Sequence, residues 1–109
     1  MIVYGIKTCG TVQKALAALH EAGKDPVLRD VRKEPLSAEE IAEFEAAFGD
    51  KLVNRASMTW RKLSEEERAL PVADLIAAHP TLMKRPVIRG NGLTLGWTKD
   101  AQATQLRSA

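Results

Sequence analysis

The first 31 residues constrain the fold most, because they alternate strand, turn, helix and strand with almost no spacer. Ile2–Ile6 is a short apolar run rich in β-branched and aromatic residues, and it breaks into the polar, small-residue turn Lys7, Thr8, Cys9, Gly10. From Thr11 the apolar positions Val12, Ala15, Leu16, Leu19 and Ala22 recur at helical spacing, and Gly23 follows as a stop. Residues 26–31 supply a second strand. A β-α-β unit of this kind is expected to be parallel and right-handed. It places Cys9 at the first strand-to-helix junction.

The remainder divides into a helical stretch and a closing hairpin. Ser37 with Glu40, and Ser64 with Glu67, have the spacing of capping boxes. The first opens a helix with Ile41, Phe44 and Phe48 on one side, ending near Gly49; Val72, Leu75, Ile76 and His79 continue at helical spacing up to Pro80. Residues 37–80 therefore read as a helical insert with no strand of its own. Arg85–Arg89, Gly90-Asn91-Gly92 and Leu93–Leu95 read as a hairpin, with Asn91 and Gly92 supplying a positive-φ turn. A short helix from about Lys99 follows. The order β-α-β, helical insert, β-β-α outlines an α/β, thioredoxin-like fold with a four-stranded mixed sheet, in one domain over residues 1–109.

Composition narrows the function classes. Sixteen basic and fourteen acidic residues leave a net charge of +2, too balanced for a domain held to nucleic acid by phosphate neutralisation. No stretch approaches the roughly 18 apolar residues of a spanning helix, so no membrane role is expected. Met1 leads straight into a strand rather than a signal peptide, which makes the cytoplasm the default location. One cysteine and two distant histidines make a poor metal set, and no metal site is expected.

That leaves Cys9 as an inert or a reactive thiol. Free cysteines are commonly buried, but Thr8, Gly10 and Thr11 suit an exposed turn whose backbone can approach a ligand. A thiol just before a helix meets the positive end of its dipole and unpaired N–H groups, which favour the thiolate. Gly10 and Thr11 are the expected N–H donors to a bound substrate anion. Arg55, Arg61 and Arg85 could offer a fork of donors to an oxyanion or carboxylate, and Arg85 is singled out by its place at a strand start. Pro86, if cis, would turn that backbone toward the Cys9 loop. Trp60 and Trp97 receive no role, and His20 and His79 read as structural or exposed.

The segments Tyr4–Ala15, around Cys9, and Leu52–Leu63, with Thr59, Trp60 and Arg61, resemble the arsenate-reductase-like (ArsC/Spx) family; Lys84-Arg85-Pro86 and Leu95-Gly96-Trp97 extend the resemblance. Order and approximate spacing agree from residue 2 to about 106. The resemblance implies a thioredoxin fold with a helical insert, a nucleophilic Cys9, a cis-proline at Pro86 and an anion-binding Arg85. Trp60-Arg61-Lys62-Leu63 and Gly96-Trp97 look most like the YffB-type subgroup of glutathione-dependent thiol reductases. Glutathione would then be the co-substrate, with no bound cofactor, and a monomer is sufficient.

Two departures rank the functions implied. Gly96-Trp97 stands where arsenate reductases of this kind place an arginine, and Asn54 and Arg55 compete for alignment with another, so only Arg85 transfers cleanly. Val12 stands three residues after Cys9, where the Spx-type switch has its second cysteine. The leading expectation is a glutathione-dependent thiol-disulfide oxidoreductase, with Arg85 and Arg55 gripping a glutathione carboxylate. Glutathione- or glutaredoxin-linked arsenate reduction comes second. A protein-binding regulator, gripping a partner such as RNA polymerase with Cys9 incidental, comes third.

Overall fold

A computed structural model describes residues 1–107. The chain divides into two units: Met1–Val31 with the chain from Arg85 onward, and Arg32–Lys84.

The first unit is built on a four-stranded mixed sheet in the order β2-β1-β3-β4. Its strands are β1 (Ile2–Gly5), β2 (Val27–Asp30), β3 (Val87–Gly90) and β4 (Gly92–Leu95). β1 and β2 are parallel, joined by helix α1 (Gly10–Glu21), while β3 runs antiparallel to both β1 and β4. Strand alternation decides which face the helix covers. Val3 is level with Leu28 and Ile88, and these residues pack with Val12, Ala15 and Leu19 of α1. Burial of Val12 and Leu19 contributes about 1.5–3 kcal/mol each. The approach of helix to sheet is close: a Cβ on Gly5 would lie 2.6 Å from Val12 Cγ2. Glycine at the end of β1 thus lets the start of α1, and Cys9 with it, lie directly against the strand.

Helix α6 (Lys99–Leu106), capped by Thr98, closes this unit. Its Gln105 is wholly buried yet satisfied: Nε2 donates to the carbonyls of Ile88 and Gly92 and to Thr94 Oγ1, while Oε1 accepts from Asn91 N–H. The hairpin differs from the turn expected. Gly92 has φ +74°, but Asn91 is not in the left-handed region, where Asp25 is the one non-glycine among the described residues. The Asn91 side chain instead donates to the carbonyls of Thr104 and Arg107. Its partner is the end of the last helix, and that sets its conformation.

The second unit is mainly helical. Helix α2 (Ala38–Phe48) opens on the complete capping box of Ser37 and Glu40 and ends before Gly49, which takes φ +57°. It buries Ile41 and Phe44 and packs on α5 (Val72–Ala78), which buries Val72, Leu75 and Ile76. Between them lie a 3₁₀ turn (Gly49–Leu52) and the short helices α3 (Met58–Arg61) and α4 (Glu65–Arg68), with the Ser64–Glu67 box complete. A second 3₁₀ turn covers Pro80–Leu82. The insert holds one piece of extended pairing that its sequence did not suggest: Val53 forms an isolated antiparallel bridge with Met83, flanked by Asn54 N–H to Leu82 O and Lys84 N–H to Leu52 O, both 2.8 Å. Among the described residues, no helix is long and apolar enough to cross a membrane.

Candidate active site

Cys9 is the N-cap of α1, with extended backbone angles (φ −76°, ψ 123°), and its carbonyl accepts the first helical bond, from Gln13 N–H at 3.0 Å. The residue is half-buried and packs against the Val3–Val12 cluster. The thiol makes no cap hydrogen bond of full geometry. It nevertheless lies among groups that favour its anion.

Burial pushes the thiol up, but the N–H groups of Val12 and Thr11 and the charge and hydrogen bonding of Arg85 outweigh burial, so Cys9 is held below the ordinary thiol value. The two N–H groups that act on the thiol are thus those of Thr11 and Val12. The reason is helix geometry. An N-cap side chain turns back over the first turn and meets the N–H groups two and three residues on, which here belong to Thr11 and Val12.

Arg85 reaches Cys9 from the approach to β3. Tyr4 pairs with Val87 at the end of the antiparallel β1–β3 ladder, and Arg85, two residues before Val87, acts on Cys9 by charge and hydrogen bonding. The Arg85–Pro86 peptide is cis, and Pro86 O accepts from Gly96 N–H at 2.8 Å. Trp97 packs on the same cluster as Cys9.

Arg55 belongs to the other unit, where it is engaged locally. Its Nη1 donates to Asp50 O at 3.1 Å, and its guanidinium stands 5.2 Å from the Trp60 ring centroid, with Arg68 5.5 Å from the same ring. Among the other polar residues, His79 Nε2 meets Glu67 Oε2 at 3.0 Å, and His20 is exposed.

Two polar side chains at the cysteine loop were not singled out from the sequence. Asp30, at the end of β2, accepts from Lys7 N–H through Oδ2 at 3.1 Å, and Gln13 Nε2 donates to Lys7 O at 3.0 Å. The available signal was a carboxylate ending β2, level with Gly5 of the parallel strand β1.

A βαβ start with a cysteine at the strand-to-helix junction, a cis-proline opening the antiparallel strand beside it and an arginine before that proline define a thioredoxin-like fold with a single thiol at its site. The chain belongs to the ArsC family, whose model matches residues 4–104. It is 40% identical over 98 residues to an uncharacterized protein of Haemophilus influenzae, covering 85% of this chain and 86% of that one. It is 30% identical over 105 residues to the global transcriptional regulator Spx of Bacillus subtilis, covering 90% and 80% respectively. Among solved structures, the YFFB (PA3664) protein superposes with a TM-score of 0.88 at 33% identity, over 97% of this chain and 98% of that chain.

Proposed function

We propose that this protein is a glutathione-dependent thiol-disulfide oxidoreductase that works through Cys9 alone. The observation that carries the reading is the half-buried Cys9 thiol at the start of α1, held toward its anion by two N–H groups and Arg85. Membership in the ArsC family supports it.

The chemistry follows from having one sulfur. The Cys9 thiolate attacks the glutathione sulfur of a mixed disulfide; the Cys9–glutathione disulfide forms as the substrate's S–S bond breaks, and the departing thiolate takes a proton from water. A second glutathione thiolate then attacks the glutathione sulfur of that adduct, releasing oxidised glutathione and restoring the Cys9 thiolate. The substrate sulfur is reduced to a thiol and the one incoming glutathione is oxidised, pairing with the glutathione sulfur that came from the substrate, so electrons balance. Arg85 has two uses in this scheme: its charge favours the thiolate, and its fork of donors suits a glutathione carboxylate.

The test is turnover of a glutathionylated peptide by the wild-type protein and Cys9→Ser, with mass spectrometry of the protein after exposure to oxidised glutathione. Turnover that vanishes in Cys9→Ser, with one glutathione added at Cys9 in the wild type, is the expected result. Two other readings draw on the relatives. Glutathione-coupled arsenate turnover without peptide reduction would make the protein an arsenate reductase, in keeping with its family. Neither activity, with partner binding that survives Cys9→Ser, would make it a regulator of the kind Spx is named for.

A further inference from the structure

The loop that delivers Cys9 is held from two sides. Cys9 N–H donates to Ile6 O at 3.0 Å, which closes the turn from Ile6 to Cys9. Within that turn both polar groups of the Lys7 backbone are held by side chains. Its N–H goes to Oδ2 of Asp30, a carboxylate 9% exposed at the end of β2, and its carbonyl accepts from Gln13 in the first turn of α1.

We propose that Asp30 and Gln13 are positioning residues for Cys9: by fixing the Lys7 peptide between β2 and α1, they set where the sulfur stands relative to Thr11, Val12 and Arg85. The proposal rests on the reading of Cys9 as an activated thiol. Hydrogen bonds to sulfur weaken steeply with distance and angle, so a loop free to shift would lose much of what holds the thiol down. The groups that act on Cys9 are burial, the Val12 and Thr11 N–H groups and Arg85. On this proposal Asp30 acts through its hold on the Lys7 N–H, and an asparagine, whose amide oxygen accepts the same N–H, can replace it. Gln13 is exposed on α1, and alanine there raises helix propensity, so its variant leaves the fold intact.

The experiment is the pH profile of iodoacetamide alkylation for wild type, Asp30→Asn, Asp30→Ala and Gln13→Ala, with circular dichroism to establish folding. Asp30→Ala and Gln13→Ala are expected to move the profile to higher pH and to slow alkylation several-fold at about pH 6.5, while Asp30→Asn stays near wild type. If Asp30→Ala does not fold, Gln13→Ala decides. A low wild-type midpoint that Gln13→Ala and folded Asp30→Ala both share overturns the positioning role alone. Asp30→Asn shifting as far as Asp30→Ala also overturns it, since charge rather than geometry would then matter. A wild-type midpoint at the ordinary thiol value overturns the activated thiol beneath it.

Discussion

Cys9 occupies a position that serine, threonine or aspartate usually fills, where a side-chain oxygen accepts from the first-turn N–H groups. A neutral thiol is a weak acceptor, so those N–H groups reward the thiolate far more than the thiol. Arg85 adds charge from the neighbouring strand. Arg85→Ala should therefore raise the midpoint of Cys9 alkylation and slow mixed-disulfide turnover several-fold at neutral pH. Arg85→Lys should recover part of it, because a lysine keeps the charge and loses the fork. A midpoint unchanged in Arg85→Ala would remove Arg85 from the account. At this scale the sequence was informative where a residue's neighbours in the chain decide its role. Cys9 follows from the strand-turn-helix pattern around it, and Arg85 from the strand it opens. The part of the Val12 N–H was not read from the sequence, because it depends on how an N-cap side chain turns over the helix. Asp30 and Gln13 were missed because the peptide they share belongs to Lys7, distant from Asp30 in sequence.

Elements with strong local signals came through most clearly. The capping boxes at Ser37–Glu40 and Ser64–Glu67 are complete, and Gly23 and Gly49 both lie at positive φ after the helices they follow. The hairpin was legible as a pair of strands but not as a turn, since the conformation of Asn91 is fixed by carbonyls at the end of α6. The Val53–Met83 bridge was invisible because an isolated extended pair leaves no alternating pattern to read. Ser37→Ala removes the acceptor for Glu40 N–H and should lower stability by about 1 kcal/mol, measured by denaturant unfolding. Leu19→Ala, by opening a cavity in the cluster that Cys9 packs on, should cost about 2–5 kcal/mol in the same measurement. Equal small losses for both would mean that the α1 packing does not hold the fold as described.

For the whole molecule, the charge balance of +2 and the outline of alternating elements limited the reading to a small α/β protein, and the thioredoxin-like sheet and the ArsC family agree with it. What the protein acts on depends on how firmly the Cys9 thiolate is held, which no residue pattern states. A thiol lowered in the folded state links reactivity to stability. Its contribution is fully present above the unfolded thiol value and is lost as pH falls through the lower folded value. Unfolding free energy should therefore rise with pH across that interval in the wild type, relative to Cys9→Ser. The most direct measurement is the ultraviolet absorbance of the thiolate against pH, with Cys9→Ser as the blank. The account predicts a transition clearly below the ordinary thiol value; a transition at or above it would contradict the claim that this fold activates Cys9.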